Sequence, residues 1–244
     1  NARVVVWVGA GLEAFLASPI EALAENARVV ELSKLPGLTR LAFREGGAWG
    51  DHEEAEEHGD AHGHDHDQED GAIDQHLWLD PENARIMAEA IAEALIAADP
   101  ANSGIYRANA KIMAYRLGQL IEEIEYDLAP VKEVPFVVFH DAFQYFDAYF
   151  GLANVGSVTV DPERKPGAAR LKEIQAKIGE LGARCVFTEP QFEPRLIDVV
   201  IEGNQARRGT LDPIGAELED GPELYFELMR GIAASLKNCL GVQG

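Results

Sequence analysis

Metal coordination is the chemistry for which this chain is best equipped. It carries 7 histidines and 42 acidic residues, against 2 cysteines. Two of the histidines stand apart from the rest. His76 lies in Asp74-Gln75-His76-Leu77-Trp78-Leu79-Asp80-Pro81, just ahead of a helix start. His140 ends the apolar run Phe136-Val137-Val138-Phe139 and precedes Asp141. Asp212, in Thr210-Leu211-Asp212-Pro213-Ile214, follows another short strand-like run. Singly, each has an ordinary reading: a loop or capping histidine, or an aspartate capping a helix that has proline in its first position. Together, two neutral imidazoles and a carboxylate at element ends suit Zn2+, which takes N, O and S donors in a tetrahedral shell. Oxygen-rich shells suit manganese better, so a histidine-dominated set favours zinc. A partly exposed set without thiolates also fits a protein that must give its metal up.

The other five histidines, His52, His58, His62, His64 and His66, fall within residues 51–70, among ten Asp or Glu. No aliphatic side chain larger than alanine occurs there. Such a segment buries too little apolar surface to offset its ordering entropy, so a mobile loop is expected. Imidazoles spaced as in His62-Gly63-His64-Asp65-His66 should bind divalent transition metals weakly and at several stoichiometries. Their affinity should fall with pH as the rings protonate. The density of histidine argues against a merely solvated acidic linker.

Elements that could position these groups are legible in the pattern. Residues 3–8 read as a buried strand, Leu12 to Glu25 as a helix, and Arg28 to Leu32 as a second strand. Asp80-Pro81 is a helix start, with an acid to cap free N–H groups and proline at the first position. That helix runs to about Ala98. Asp99-Pro100 repeats the signal and opens a long helix. Along it Ile105, Ile112, Met113, Leu117, Leu120, Ile121, Ile124 and Leu128 recur at helical spacing, up to Pro130. At 1.5 Å per residue it would span roughly 40 Å, enough to run along two lobes. Beyond it strands and helices alternate: strands at Phe136–Phe139, Ala153–Val160, Cys185–Thr188 and Gly209–Leu211, and helices at 141–149, 168–181, 194–204 and 222–240. That alternation implies an α/β fold with parallel sheets flanked by helices, which bind ligands beyond the carboxyl ends of strands. The expected organisation is an N-terminal lobe over 1–99, a long linking helix over 100–129 and a C-terminal lobe over 130–244.

Composition removes several function classes. The formal net charge is −21, which repels nucleic-acid phosphates and anionic lipid headgroups. No apolar run reaches membrane-spanning length. Cys185 and Cys239 form no CxxC pair, so a zinc ribbon is out. They read equally well as a disulfide between a core strand and the last helix, or as two buried thiols. Two enzymatic alternatives remain. Gly9-Ala10-Gly11-Leu12-Glu13-Ala14 matches the strand-to-helix turn of dinucleotide-binding oxidoreductases, with Glu31 at the end of the next strand. Against it, the βαβ continuation breaks after Leu32. Glu189, in Thr188-Glu189-Pro190-Gln191-Phe192, lines the expected cleft and could serve as the base of a zinc hydrolase. HExxH, GxSxG and P-loop motifs are missing.

Taken in order, six segments resemble the ZnuA-type zinc-binding proteins, within the manganese and zinc solute-binding proteins of ABC importers. They are Val6-Trp7-Val8-Gly9 with Glu13-Ala14-Phe15, His76-Leu77-Trp78-Leu79-Asp80-Pro81, Val138-Phe139-His140-Asp141-Ala142-Phe143, Pro166-Gly167-Ala168, Cys185-Val186-Phe187 with Glu189-Pro190-Gln191-Phe192, and Gly209-Thr210-Leu211-Asp212-Pro213. The resemblance spans essentially the whole chain. It implies two α/β lobes joined by a long rigid helix, with zinc held between them by His76 and His140. Asp212 matches a position that ligates metal in many relatives and only lies near it in others. The resemblance also implies a Cys185–Cys239 disulfide, a loop that collects or hands over zinc, a periplasmic location, a membrane permease as partner, periplasmic zinc chaperones as a second class of partner, and a monomeric, non-enzymatic protein. Relatives carry a further ligand histidine upstream of the first strand. None precedes His52 here, so an incomplete N-terminal lobe and one ligand outside the chain are expected.

Overall fold

The computed structural model describes residues 2–44, 73–159, 167–192 and 195–241. The loop histidines 52, 58, 62, 64 and 66 lie outside the described residues. Two α/β units are present, one on each side of a long helix. In the first, β1 (Val4–Trp7) and β2 (Arg28–Glu31) pair in parallel around α1 (Ala17–Leu23). In the second, β3 (Phe136–His140), β4 (Asn154–Thr159), β5 (Cys185–Thr188) and β6 (Arg207–Thr210) form a parallel sheet in the order β4-β3-β5-β6. Helices α4 (Gln144–Phe150), α5 (Ala168–Glu180), α6 (Arg195–Ile201) and α7 (Leu224–Leu240) alternate with its strands or follow them. Between the units run α2 (Pro81–Ala98) and α3 (Ser103–Leu128).

The central strands are apolar throughout because both of their faces are covered. Successive side chains point to opposite faces. Phe136 and Val138 therefore join a core with α3 and α7, while Val137 joins a second one with Val186, Ile174, Ile178 and Val200. Cys185 points to the α7 side, where it meets Cys239 in a disulfide. Gly209 on β6 has no alternative residue, since a Cβ there would run into the Phe187 ring. The first core does not stop at the C-terminal sheet. Leu77, Leu79 and Met87 belong to it, and Val8, Leu32 and Leu35 pack against it.

Several boundaries differ from the sequence reading. The helix expected over Leu12–Glu25 begins only at Ala17, after a short 3-10 turn over Ala14–Leu16. Glu13 is the reason. Its carboxylate accepts the amides of Val8 (2.6 Å) and Gly9 (3.3 Å), so residues 9–13 fold as a closed turn. This also speaks against the dinucleotide reading, because a carboxylate is folded into the turn and the α-helix whose N-terminus would hold a phosphate begins only at Ala17. The helix expected at 141 starts at Gln144, because Asp141 is held elsewhere, as described below. Ile105 and Ile112, expected on the buried face of α3, are exposed. Only Leu117, Leu120, Ile124 and Leu128 are buried, where α3 lies against the second unit. Strand β6 is Arg207–Thr210, two residues earlier than expected at its start.

Candidate metal centre

The C-terminal sheet presents its chemistry at the carboxyl ends of adjacent strands. The order β4-β3-β5-β6 reverses direction between β3 and β5, the crevice where open α/β sheets bind ligands. His140 ends β3, Glu189 follows β5, and Asp212 follows β6. His76 arrives from the other side. It precedes a 3-10 turn, Leu77–Leu79, whose two leucines are wholly buried. The turn is locked from behind by Asp80, which caps α2 by accepting the amides of Glu82 (2.8 Å) and Asn83 (3.2 Å).

The two imidazoles lie side by side, with ring centres 5.3 Å apart and planes tilted by 59°. Two rings sharing one tetrahedral zinc at Zn–N distances of about 2.0–2.1 Å would have centres about 5 Å apart. Each ring is oriented in the same way. His76 Nδ1 lies 2.7 Å from Asp74 Oδ1, and His140 Nδ1 lies 2.6 Å from Glu189 Oε1. A carboxylate on Nδ1 holds the proton there and leaves Nε2 as the unprotonated metal donor, the second-layer arrangement of zinc-bound histidines. Asp74 and Glu189 are both buried. Asp74 also accepts the His76 amide at 3.0 Å, and Glu189 accepts the His140 amide at 3.3 Å. The Phe192 ring stands edge-on to His140 at 5.8 Å, and Trp78 lies 5.4 Å from His76.

Asp212 is not brought into this pair. Its Oδ1 accepts Gln191 Nε2 and the amides of Ile214 and Gly215, and its Oδ2 accepts the Ala216 amide. It therefore caps the turn that follows β6. Among the described residues, no group of three or more His, Cys, Asp or Glu side chains could hold a metal ion. The Asp212 segment is nonetheless tied to the His76 segment, because the Trp78 indole donates to the Pro213 carbonyl (2.9 Å). Glu189, expected to line the cleft, lies at the strand end with its carboxylate on His140 Nδ1. Asp74 went unnoticed in the sequence, although its position two residues before His76 is the spacing of an aspartate-capped turn.

Beneath the pair lies a charged cluster. Arg44 donates Nε to Asp141 Oδ2 (2.8 Å) and Nη2 to Asp141 Oδ1, and its Nη2 also lies 3.6 Å from Asp147 Oδ2. Burial raises the Asp141 carboxyl, against the opposing pull of Arg44. Burial pushes Asp147 up to about 7, more than Arg44 and the Asn154 amide can offset, and among the described residues its buried Oδ1 has no hydrogen-bond partner. An aspartate in the unfolded chain titrates near 3.9. The native state thus keeps a proton that the unfolded chain releases. The associated stability is full below about pH 4 and is lost as pH rises through about 7. Asp147→Asn removes this dependence. In the metal-free protein, the unfolding free energy of the variant relative to the parent should therefore rise between pH 5 and pH 8, as read by urea titration at each pH.

Comparison with known proteins decides the family. The family model described as "Zinc-uptake complex component A periplasmic" matches residues 1–239. The chain belongs to that family. A curated relative from Brucella abortus (strain 2308), named high-affinity zinc uptake system protein ZnuA, is 48% identical over 98% of this chain and 77% of its own length. The protein of the same name from Yersinia pestis is 38% identical over 98% of this chain and 76% of its own. A crystal structure of ZnuA superposes with a TM-score of 0.76 at 22% identity, over 98% of this chain and 80% of that one. That likeness shows the fold. Among the described residues, no helix is long and apolar enough to cross a membrane.

Proposed function

We propose that the chain is the periplasmic zinc-capture subunit of an ABC-type importer, holding Zn2+ between its lobes and delivering it to the membrane permease. The carrying observation is the pair His76 and His140, each with Nδ1 on a buried carboxylate. Zinc here is cargo, and no catalytic role is assigned. Glu189, the group a hydrolase would use as base, is committed to His140. The lobes are 1–99 and 130–244, with the linking helix within 100–129, supported by separate sheets on either side of α3. The protein acts as a monomer, with periplasmic zinc chaperones as further partners.

Asp212, which here caps the turn after β6 instead of joining the pair, is the proposed third donor once that turn, tied to the His76 segment through Trp78 and Pro213, releases it. Among the described residues its Oδ2 accepts one hydrogen bond, which leaves a lone pair for metal. The histidines at 52, 58, 62, 64 and 66 are accessory collectors. Calorimetry tests this division. The complete protein should bind one tight equivalent of zinc and several weak ones. A form lacking residues 51–70 should keep the tight equivalent and lose the weak ones. Loss of the tight equivalent on deletion would overturn the placement of the site at His76 and His140.

A further inference from the structure

One short segment touches both halves of the metal centre. Residues 41–44 cross between the stretch that carries His76 and the strand end that carries His140. On the His76 side, Ala42 bridges Ile73 in antiparallel fashion, and the Leu41 carbonyl accepts the Asp74 amide at 2.9 Å. Asp74 is the residue whose carboxylate orients His76. On the His140 side, Arg44 grips Asp141 with two nitrogens, and Asp141 directly follows His140. Tyr145, on α4, closes the frame. Its hydroxyl accepts the Leu41 amide (2.9 Å) and donates to the Asp74 carbonyl (2.8 Å). Burial pushes that phenol up to about 12, so it keeps the proton it donates.

We propose that Leu41–Arg44 is a strut that sets the spacing of the two imidazoles, with Arg44 and Tyr145 as its positioning residues. The geometry favours this over simple cross-bracing for two reasons. Both attachments fall within two residues of a ligand or of a ligand's orienting carboxylate. The guanidinium also binds Asp141 with two nitrogens, which fixes direction as well as distance. A lysine supplies charge without that fork. Residues 141–143, released from α4, are the stretch that Arg44 holds.

The inference rests on His76 and His140 as the zinc ligands, so the test separates the two. Zinc affinity is measured by chelator competition, and ring geometry by the visible spectrum of the cobalt(II)-substituted protein. Arg44→Ala should weaken zinc about 10- to 100-fold, the range for outer-layer partners, and should alter the cobalt band. Arg44→Lys should recover only part of the affinity. Tyr145→Phe, which removes a single oxygen, should shift the band in the same sense and serves as the deciding variant if Arg44→Ala does not fold. An Arg44→Ala protein with parental affinity, or with weakened affinity but a parental cobalt spectrum, would overturn the strut. If His76→Ala and His140→Ala themselves leave zinc affinity unchanged, it is the ligand assignment that fails, and the strut falls with it.

Discussion

His140→Ala is expected to remove the tight zinc equivalent, weakening it by more than about 100-fold, beyond the 10- to 100-fold cost of losing an outer-layer partner. The side chain ends β3, is mostly buried, and carries one of the two imidazoles that the fold brings together. Glu189→Ala should fall within the smaller range. It leaves the ring in place but frees its rotation and tautomer, since the Glu189 carboxylate is the group set against Nδ1. Asp212→Asn should have a smaller effect than His140→Ala, because the amide oxygen preserves part of the turn cap. Chelator competition on the three variants gives the ranking. An unaltered tight site in His140→Ala would move the metal centre elsewhere.

The largest effect on stability should come from the disulfide. Cys185 on β5 and Cys239 on α7 are 54 residues apart, and their bond closes that stretch of chain. In the chain-entropy account a loop of this length contributes about 4 kcal/mol. For a protein of this size each kcal/mol moves the melting temperature by about 2–4 °C. The double variant Cys185→Ala with Cys239→Ala should therefore melt roughly 10 °C lower than the oxidised parent. Thermal unfolding with and without reductant should give the same answer for the double variant and different answers for the parent. The bond joins the sheet that carries His140 to the helix that packs on α3, so the reduced protein should also bind zinc with a less uniform site.

How much of this could be read in advance depended on whether the cause was local. The apolar run of β3 and the Asp80-Pro81 start of α2 are local patterns, and both elements form where expected. His140 at a strand end follows from the same logic, because a parallel sheet shows its chemistry there. The Ile105 and Ile112 pattern misleads for a physical reason. Periodicity marks a face that could be buried but does not say how far a neighbour extends along it. Glu13 defeats the expected helix at Leu12 through a side-chain bond that no propensity scale contains. Contacts between distant residues were beyond reach. Arg44 meets Asp141 across 97 residues and Tyr145 meets Leu41 across 104, so the framing of the metal pair could be seen only in the folded chain. Asp212 shows the converse, since its capping role was foreseeable from the Pro213 that follows.

The apolar core that reaches from Leu77 and Leu79 through α3 to Phe136 and α7 has a consequence for delivery. A capture protein whose halves met only at a wet seam could gape to discharge its load. Here gaping would draw that shared apolar core into water, so opening the two halves carries a cost that a wet seam would not. Release is then favoured by small local movements about the centre over a wide separation of the units.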